Sequence, residues 1–195
     1  MAPSDRAVVV VGASAAGLRC ACRLARLKPG WHVGVVEASP VFSYAACGLP
    51  YVLSGDITDP DALRQTSYRA VRDVRFFAEE KGVTVLSAWR ATEIRLAEGL
   101  LRVESPEGER QLRWDELVLA TGARPRRLPG QPEHPRVHSF HRWDDLDPLR
   151  RGLRRGEIGR VAVVGAGLVG CELAEAFGGQ WGAEVVVVEA AATPL

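Results

Sequence analysis

Two stretches of this chain repeat the same order of residues, and that order leaves few folds open. Residues 7–11 (AVVVV) are a short β-branched run. A glycine loop, GASAAG, follows from Gly12 to Gly17. LRCACRLARL then runs without Gly or Pro until Pro29-Gly30, and HVGVVE ends on Glu37. About 150 residues later, RVAVVGAGLVGCELAEAFGGQWGAEVVVVEA (160–190) repeats strand, glycine loop, helix, strand and Glu. Apolar runs of four to six residues are strand-sized, and as buried parallel strands they need no polar alternation. Each stretch is thus a complete β-α-β unit of about 30 residues, and the chain is expected to be an α/β protein.

A glycine loop between a strand and a helix has a chemical use. In G-x-G-x-x-G the first Gly makes the tight turn, the second lets backbone approach a pyrophosphate, and the third lets helix and strand pack closely. Phosphates then rest on the helix N-terminus, and an acidic residue at the end of the next strand meets the ribose hydroxyls. The second loop has all of this: Gly165, Gly167 and Gly170, with Glu189 at the strand end. Glu189 would repel a 2′-phosphate and Ala190 to Ala192 offer no Arg to neutralise one, which favours NADH over NADPH. The first loop keeps Gly12 and Gly17 but has Ser14 in the middle, and Glu37 lies 20 residues after Gly17. One chain with two dinucleotide sites suggests a flavin and a nicotinamide cofactor exchanging electrons.

Between the repeats the pattern predicts an exposed amphipathic helix over 68–81. An antiparallel β-meander is expected over 83–113, punctuated at Glu98-Gly99 and Pro106-Glu107-Gly108. A buried strand returns at 116–122. The Pro- and Arg-rich stretch 123–142 reads as loop, and 143–155 as a short helix with a basic end. A two-stranded sheet with one helix leaves an apolar face uncovered. The chain is therefore expected to hold one nearly complete domain, 1–155, and the first piece of a second, 156–195, as the front part of something longer.

Composition removes several classes. Lys plus Arg is 25 and Asp plus Glu 24, a net charge of +1 that points neither to nucleic acid nor to an anionic membrane. No apolar run reaches the roughly 18 residues of a membrane helix. Four cysteines in 195 residues are no disulfide scaffold, so a reducing, cytoplasmic setting is expected. His134, His138 and His141 lie in a loop around Pro135 without a nearby Cys, and no metal is expected. Cys20 and Cys22 sit two apart on a helix and face different sides, whereas Cys171 is expected to pack on the sheet. Cys47, in FSYAACGLPY, stands near an expected helix start, where free amides favour an anion.

Four segments together resemble the flavin-dependent pyridine nucleotide-disulfide oxidoreductases, and within them the single-cysteine branch of CoA-disulfide reductases, NADH oxidases and NADH peroxidases. They are VVVVGASAAG with Glu37, SYAACGLPY, LVLATGARPRRLPG (118–130) and VVGAGLVGCELAEAF with Glu189. The resemblance implies a Rossmann-like FAD-binding domain with its meander, followed by the first β-α-β unit of a Rossmann-like NAD-binding domain. It implies FAD along Gly12, Ser14, Ala15, Gly17, Glu37 and Ser43, with Thr121 and Gly122 closing over it. NADH would use Gly165, Gly167, Gly170, Glu172 and Glu189, with Cys47 as the redox cysteine. Family peroxidases and many oxidases carry a His where this chain has Ala15, so the resemblance leans to the CoA-disulfide or persulfide reductases. Ala46 stands where those have an Asn before the cysteine. Arg23 and Arg26, late on the first helix, are candidates for CoA phosphates. The implied substrate is a small disulfide or persulfide, and full-length relatives would be homodimers. Two alternatives stay open: an NADH oxidase or peroxidase, and a truncated nucleotide-binding fragment without turnover.

Overall fold

The computed structural model describes residues 6–193; the ends of the expected domain ranges, 1–5 and 194–195, lie outside it. In chain order the elements are β1 (Ala7–Val11), α1 (Ala15–Leu27), β2 (His32–Glu37), α2 (Leu49–Ser54), α3 (Val74–Lys81), β3 (Thr84–Ser87) and β4 (Arg90–Arg95). There follow β5 (Leu100–Ser105), β6 (Gly108–Arg113), β7 (Glu116–Leu119), α4 (Trp143–Arg154), β8 (Arg160–Val164), α5 (Leu168–Glu175) and β9 (Glu184–Val188). The chain divides into two compact units. One comprises the chain up to Tyr44 with Arg64–Ala123; the other comprises Ala45–Leu63 with the chain from Arg124 onward.

The first unit has three layers. Its middle layer is a four-stranded parallel sheet in the order β3-β2-β1-β7, with Val9 opposite Gly34 on one side and Leu117 on the other. Strand side chains alternate between faces. Val8, Val10, Val33, Val35 and Val85 meet Leu18 and Ala21 of α1 and Phe76 and Phe77 of α3. Val9, Val11 and Val36 face the other way, onto Trp89, Leu101 and Val103 at the meander. The meander is the antiparallel set β4-β5-β6, and Gly99 (φ 62°) and Gly108 (φ 131°) take the left-handed backbone its turns require. Its outer face carries Arg102, paired with Glu109 at 2.7 Å.

Three sequence expectations shift. VTVLS (83–87) is not part of the meander: β3 pairs parallel with β2, Gly34 opposite Thr84, and extends the main sheet. The helix expected from residue 68 starts at Val74, because Asp73 caps it, accepting the Phe76 N–H at 2.8 Å. Residues 64–72 form a small loop, with Gln65 bridging Val71 and Arg69 at φ 65°. Its amphipathic character is as expected, with Phe76 and Phe77 buried and the rest of α3 exposed, but the strand expected to be buried over 116–122 is β7, which ends at Leu119 with that residue 60% exposed.

In the second unit β8 and β9 pair in parallel, Val164 opposite Val188, and α5 continues into a π-type turn, Ala176–Gln180. Helix α2 packs against α4 and against α5 with its widened turn. Leu49, Val52 and Leu53 of α2 and Leu146, Leu149 and Leu153 of α4 are buried. One face of the β8-β9 pair is bare. Val164 is 61% exposed and Val188 51%, whereas their counterparts in the first unit, Val11 and Val36, are 9% and 2% exposed beneath the meander. Among the described residues no helix is long and apolar enough to cross a membrane.

Leu101 is fully buried between meander and sheet. Leu101→Ala is expected to cost about 3 kcal/mol by lost burial plus cavity, measured as a lowered urea midpoint with an unchanged denaturant slope.

Candidate functional site

Each β-α-β unit builds the same loop from the same contacts. In the first, Gly12 sits at φ 110° and donates its N–H to the Val36 carbonyl at 2.8 Å; in the second, Gly165 sits at φ 103° and donates to Val188 at 2.8 Å. The third glycine then lies against the first. A Cβ on Gly17 would run into the Gly12 carbonyl oxygen, and one on Gly170 into that of Gly165. A Cβ on Gly12 would also strike the carbonyl of Ala120, the residue before Thr121 and Gly122. Only glycine permits these approaches.

The middle position explains the Ser14 substitution. Ser14 and Gly167 are both helix N-caps, at φ −95° and −77°, an extended backbone open to any residue. The serine hydroxyl makes no cap hydrogen bond, and Ser14 and Ala15 are exposed at the start of α1. Neither α1 nor α5 carries an acidic residue in its first turn, whereas α4 has Asp144 and Asp145 there. Two helix starts thus keep their free N–H groups and positive dipole ends for an anion. Open backbone, absent side chains and uncompensated helix ends fit a dinucleotide pyrophosphate at each loop.

The strand-end carboxylates are doubly engaged, which spacing alone did not reveal. Glu37 accepts the Ala13 N–H at 2.7 Å on one oxygen and the Ser39 N–H at 2.8 Å on the other. Glu189 accepts from Ala166 at 2.6 Å and from Ala191 at 2.8 Å. Each carboxylate thus staples the second residue of its glycine loop to the strand end, and each oxygen has a lone pair left for a hydroxyl. The amides of Ala191 and then Ala166 hold the Glu189 carboxyl below its ordinary value.

The remaining candidates divide. Ser43, 6% exposed and left-handed at φ 57°, donates its N–H to the Ala13 carbonyl, so the first loop, Glu37, Ser43 and the residues next to Thr121 come together. Thr121 and Gly122 are exposed. Arg23 and Arg26 are exposed but lie eight or more residues along α1 from Ala15, about 12 Å at helical rise, and do not join the loop. Glu172 is half-buried in the second turn of α5. Cys47 is exposed in a single 3-10 turn, Ala46–Gly48, that runs directly into α2. Gly48 leaves room for the Leu63 side chain there, and the Ala45 N–H donates to the Leu63 carbonyl. Cys171 does not pack on the sheet as expected. It is exposed, because the close fit at Gly170 turns that side of α5 inward and leaves the next residue outside. Cys22 packs beside the first core, and burial pushes its thiol up. Among the described residues no cluster of His, Cys, Asp and Glu is arranged to hold a metal ion.

The family model for pyridine nucleotide-disulphide oxidoreductases matches residues 6–195, and the chain belongs to that family. It is 33% identical over 181 residues to an NAD(P)H coenzyme A polysulfide/persulfide reductase of Pyrococcus horikoshii, covering 89% of this chain and 37% of the relative. It is 30% identical over 191 residues to an NADH oxidase of Lactococcus lactis subsp. cremoris, covering 96% of this chain and 41% of the relative. Among solved structures it resembles an NAD-dependent persulfide reductase from A. fulgidus, with a TM-score of 0.86 and 35% identity over 93% of this chain and 33% of the other. The chain spans well under half the length of these relatives.

Two outcomes follow from the loop geometry. Gly17→Ala is expected to cost about 3 kcal/mol through overpacking. Gly34→Ala, whose Cβ would meet nothing nearer than the Val8 carbonyl at 3.9 Å, should be near neutral; urea unfolding of both separates strain from lost flexibility. Because the folded Glu189 value is depressed, its staple is retained through the ordinary value of 4.5 and lost only as pH falls through the lower one. Hydrogen-exchange protection of the Ala166 amide, followed by NMR from neutral pH downward, should therefore survive to below 4.5. Loss of protection above that pH would contradict the assignment.

Proposed function

We propose that this chain is the nucleotide-binding front of an NAD(P)H-dependent flavoprotein that reduces a small disulfide or persulfide through Cys47. The duplicated glycine cradle, two stapled anion sites in one chain, carries the reading. In it, residues 1–155 contribute the FAD-binding segment and 156–195 begin the NAD(P)H-binding domain. FAD is assigned to Gly12, Ser14, Ala15, Gly17, Glu37, Ser43, Thr121 and Gly122. NAD(P)H is assigned to Gly165, Gly167, Gly170, Glu172 and Glu189. Bound FAD supplies two-electron transfer between a nicotinamide and a thiol-disulfide pair.

The chain's own residues do the rest. The amides at the starts of α1 and α5 hold the two pyrophosphates, and the free lone pairs of Glu37 and Glu189 take ribose hydroxyls. A carboxylate at position 189 opposes a 2′-phosphate, which supports NADH as the preferred donor. The Cys47 thiolate attacks the substrate S–S bond: a Cys47–S–S–R bond forms and the other half departs as a thiolate. Two electrons and a proton from NAD(P)H then release the second half as a thiol and restore the Cys47 thiolate. The persulfide-reductase relatives support a CoA-based substrate, with Arg23 and Arg26 as candidate phosphate partners. Ala15 leaves no side-chain acid at that loop position, which weighs against the peroxidase alternative. A homodimeric, cytoplasmic enzyme is the accompanying expectation.

The first test is the visible spectrum of the purified protein with added FAD, followed by NADH or NADPH without oxygen. A two-band flavin spectrum that NADH bleaches faster than NADPH is expected. Cys47→Ser should keep the flavin but lose disulfide-dependent NADH consumption by on the order of 1,000-fold. A protein that takes up no FAD would sink the flavoprotein reading, and full turnover in Cys47→Ser would sink the role of the cysteine. Oxygen-dependent NADH consumption that survives in Cys47→Ser would favour the oxidase alternative.

A further inference from the structure

The two glycine-loop helices end differently. Helix α1 stays regular to Leu27, and the Lys28 N–H donates to the Leu24 carbonyl in the ordinary four-residue step. The second helix reaches equally far, from Leu168 to Gln180, but its last five residues, Ala176–Gln180, form the wider π-type turn, with Gly178 and Gly179 inside it. Such turns are rare and appear mostly as single turns inside α-helices, frequently at functional sites. This one delivers two donors to one place. The Trp181 indole N–H donates to the Leu53 carbonyl at 2.8 Å, and the Gln180 amide reaches the Asp56 carboxylate at 3.5 Å.

Leu53 belongs to α2, the helix that begins immediately after Cys47. Its neighbours at that end are already matched: the Ile57 N–H and the Ser54 hydroxyl both donate to the Tyr51 carbonyl, and Gly55, at φ 99°, ends the helix. The Leu53 carbonyl is one of the helix-end acceptors that need an outside partner. The indole supplies it, with Ala176 and Phe177 buried alongside. The first repeat has no such device: its own tryptophan, Trp31, lies beneath the cations of Arg6 and Lys28.

We propose that Trp181 is a positioning residue for Cys47, tying the cysteine's helix to the helix that opens the second nucleotide cradle. The inference rests on Cys47 being the redox thiol proposed above. Six residues of helix are only about 9 Å long, so α2 moves as one rod. Leu63 holds it at the near end, through Gly48 and Ala45, and Trp181 holds it at the far end. A rod fixed at both ends presents its leading turn, and the thiol on it, in one orientation.

Trp181→Phe keeps an aromatic ring and removes the donor; Trp181→Ala removes both. With the purified protein, iodoacetamide alkylation of Cys47 is followed at that residue by peptide mass spectrometry, beside hydrogen exchange over residues 49–57 and the thermal midpoint. In Trp181→Phe the amides of α2 should exchange roughly fivefold faster and Cys47 should react roughly threefold faster, while the fold is kept. Turnover with a disulfide substrate should show a lower kcat at an unchanged KM for NADH. Wild-type exchange and alkylation rates in Trp181→Phe would overturn the proposal, whether or not Trp181→Ala folds. If instead Cys47→Ser retains turnover, the redox reading fails, and the exchange and alkylation rates still decide whether Trp181 holds α2.

Discussion

Backbone meets backbone where Gly17 lies against Gly12 and where Gly170 lies against Gly165. Everything functional in the two β-α-β units descends from that contact. It lets the helix start directly over the strand end, so that the free amides of its first turn open outward beside the glycine loop. A single methyl group would lift the helix away, and the loop would no longer turn where the strand-end carboxylate can reach it. The carboxylate completes the arrangement by holding the loop's second residue from the neighbouring strand. Close packing places the helix, and a charge-assisted pair of hydrogen bonds fixes the loop.

Much of this was legible in the residues. Runs such as AVVVV and EVVVV are too short for free-standing helices, so parallel strands were the consistent answer; AVVVV is buried as read, whereas Val186, Val187 and Val188 of EVVVV are 54%, 43% and 51% exposed. The glycine spacing marked the turns, Glu37 ended its strand where expected, and Glu189 directly followed β9. The errors have physical causes. VTVLS satisfies an edge of the main sheet as well as a meander, and only its pairing with β2 decides between them. The start of α3 was marked by Asp73 as a cap, but the amphipathic pattern runs on through the preceding residues and hid it. The bond from each carboxylate to its glycine loop, and the reach of Trp181 to Leu53, join residues far apart in sequence, and composition carries no trace of them.

The two units share a plan but not a finish. Beneath β1 and β2 the meander covers Val9, Val11 and Val36, so these two strands are covered on both faces. The matching valines of β8 and β9 are open. Contact order differs accordingly. In the first unit β1 pairs with β7 more than a hundred positions along the chain, whereas β8 and β9 pair across a single helix. Pairing across a single helix closes a shorter loop, at a smaller entropy cost, than the long-range closure of the first sheet.

The doubly held carboxylate at position 189 also bears on how such a protein changes over evolutionary time. On the proposed assignment of NAD(P)H to this cradle, a lineage moving from one nicotinamide donor to the other would be expected to replace that acid first, since the acid would meet the ribose that carries the extra phosphate. Here the same atoms keep the Ala166 amide in place. The substitution that admits the new ligand would loosen the cradle meant to receive it. On that assignment donor preference would be buffered against single mutations, and a switch would have to arrive together with a replacement acceptor for the loop.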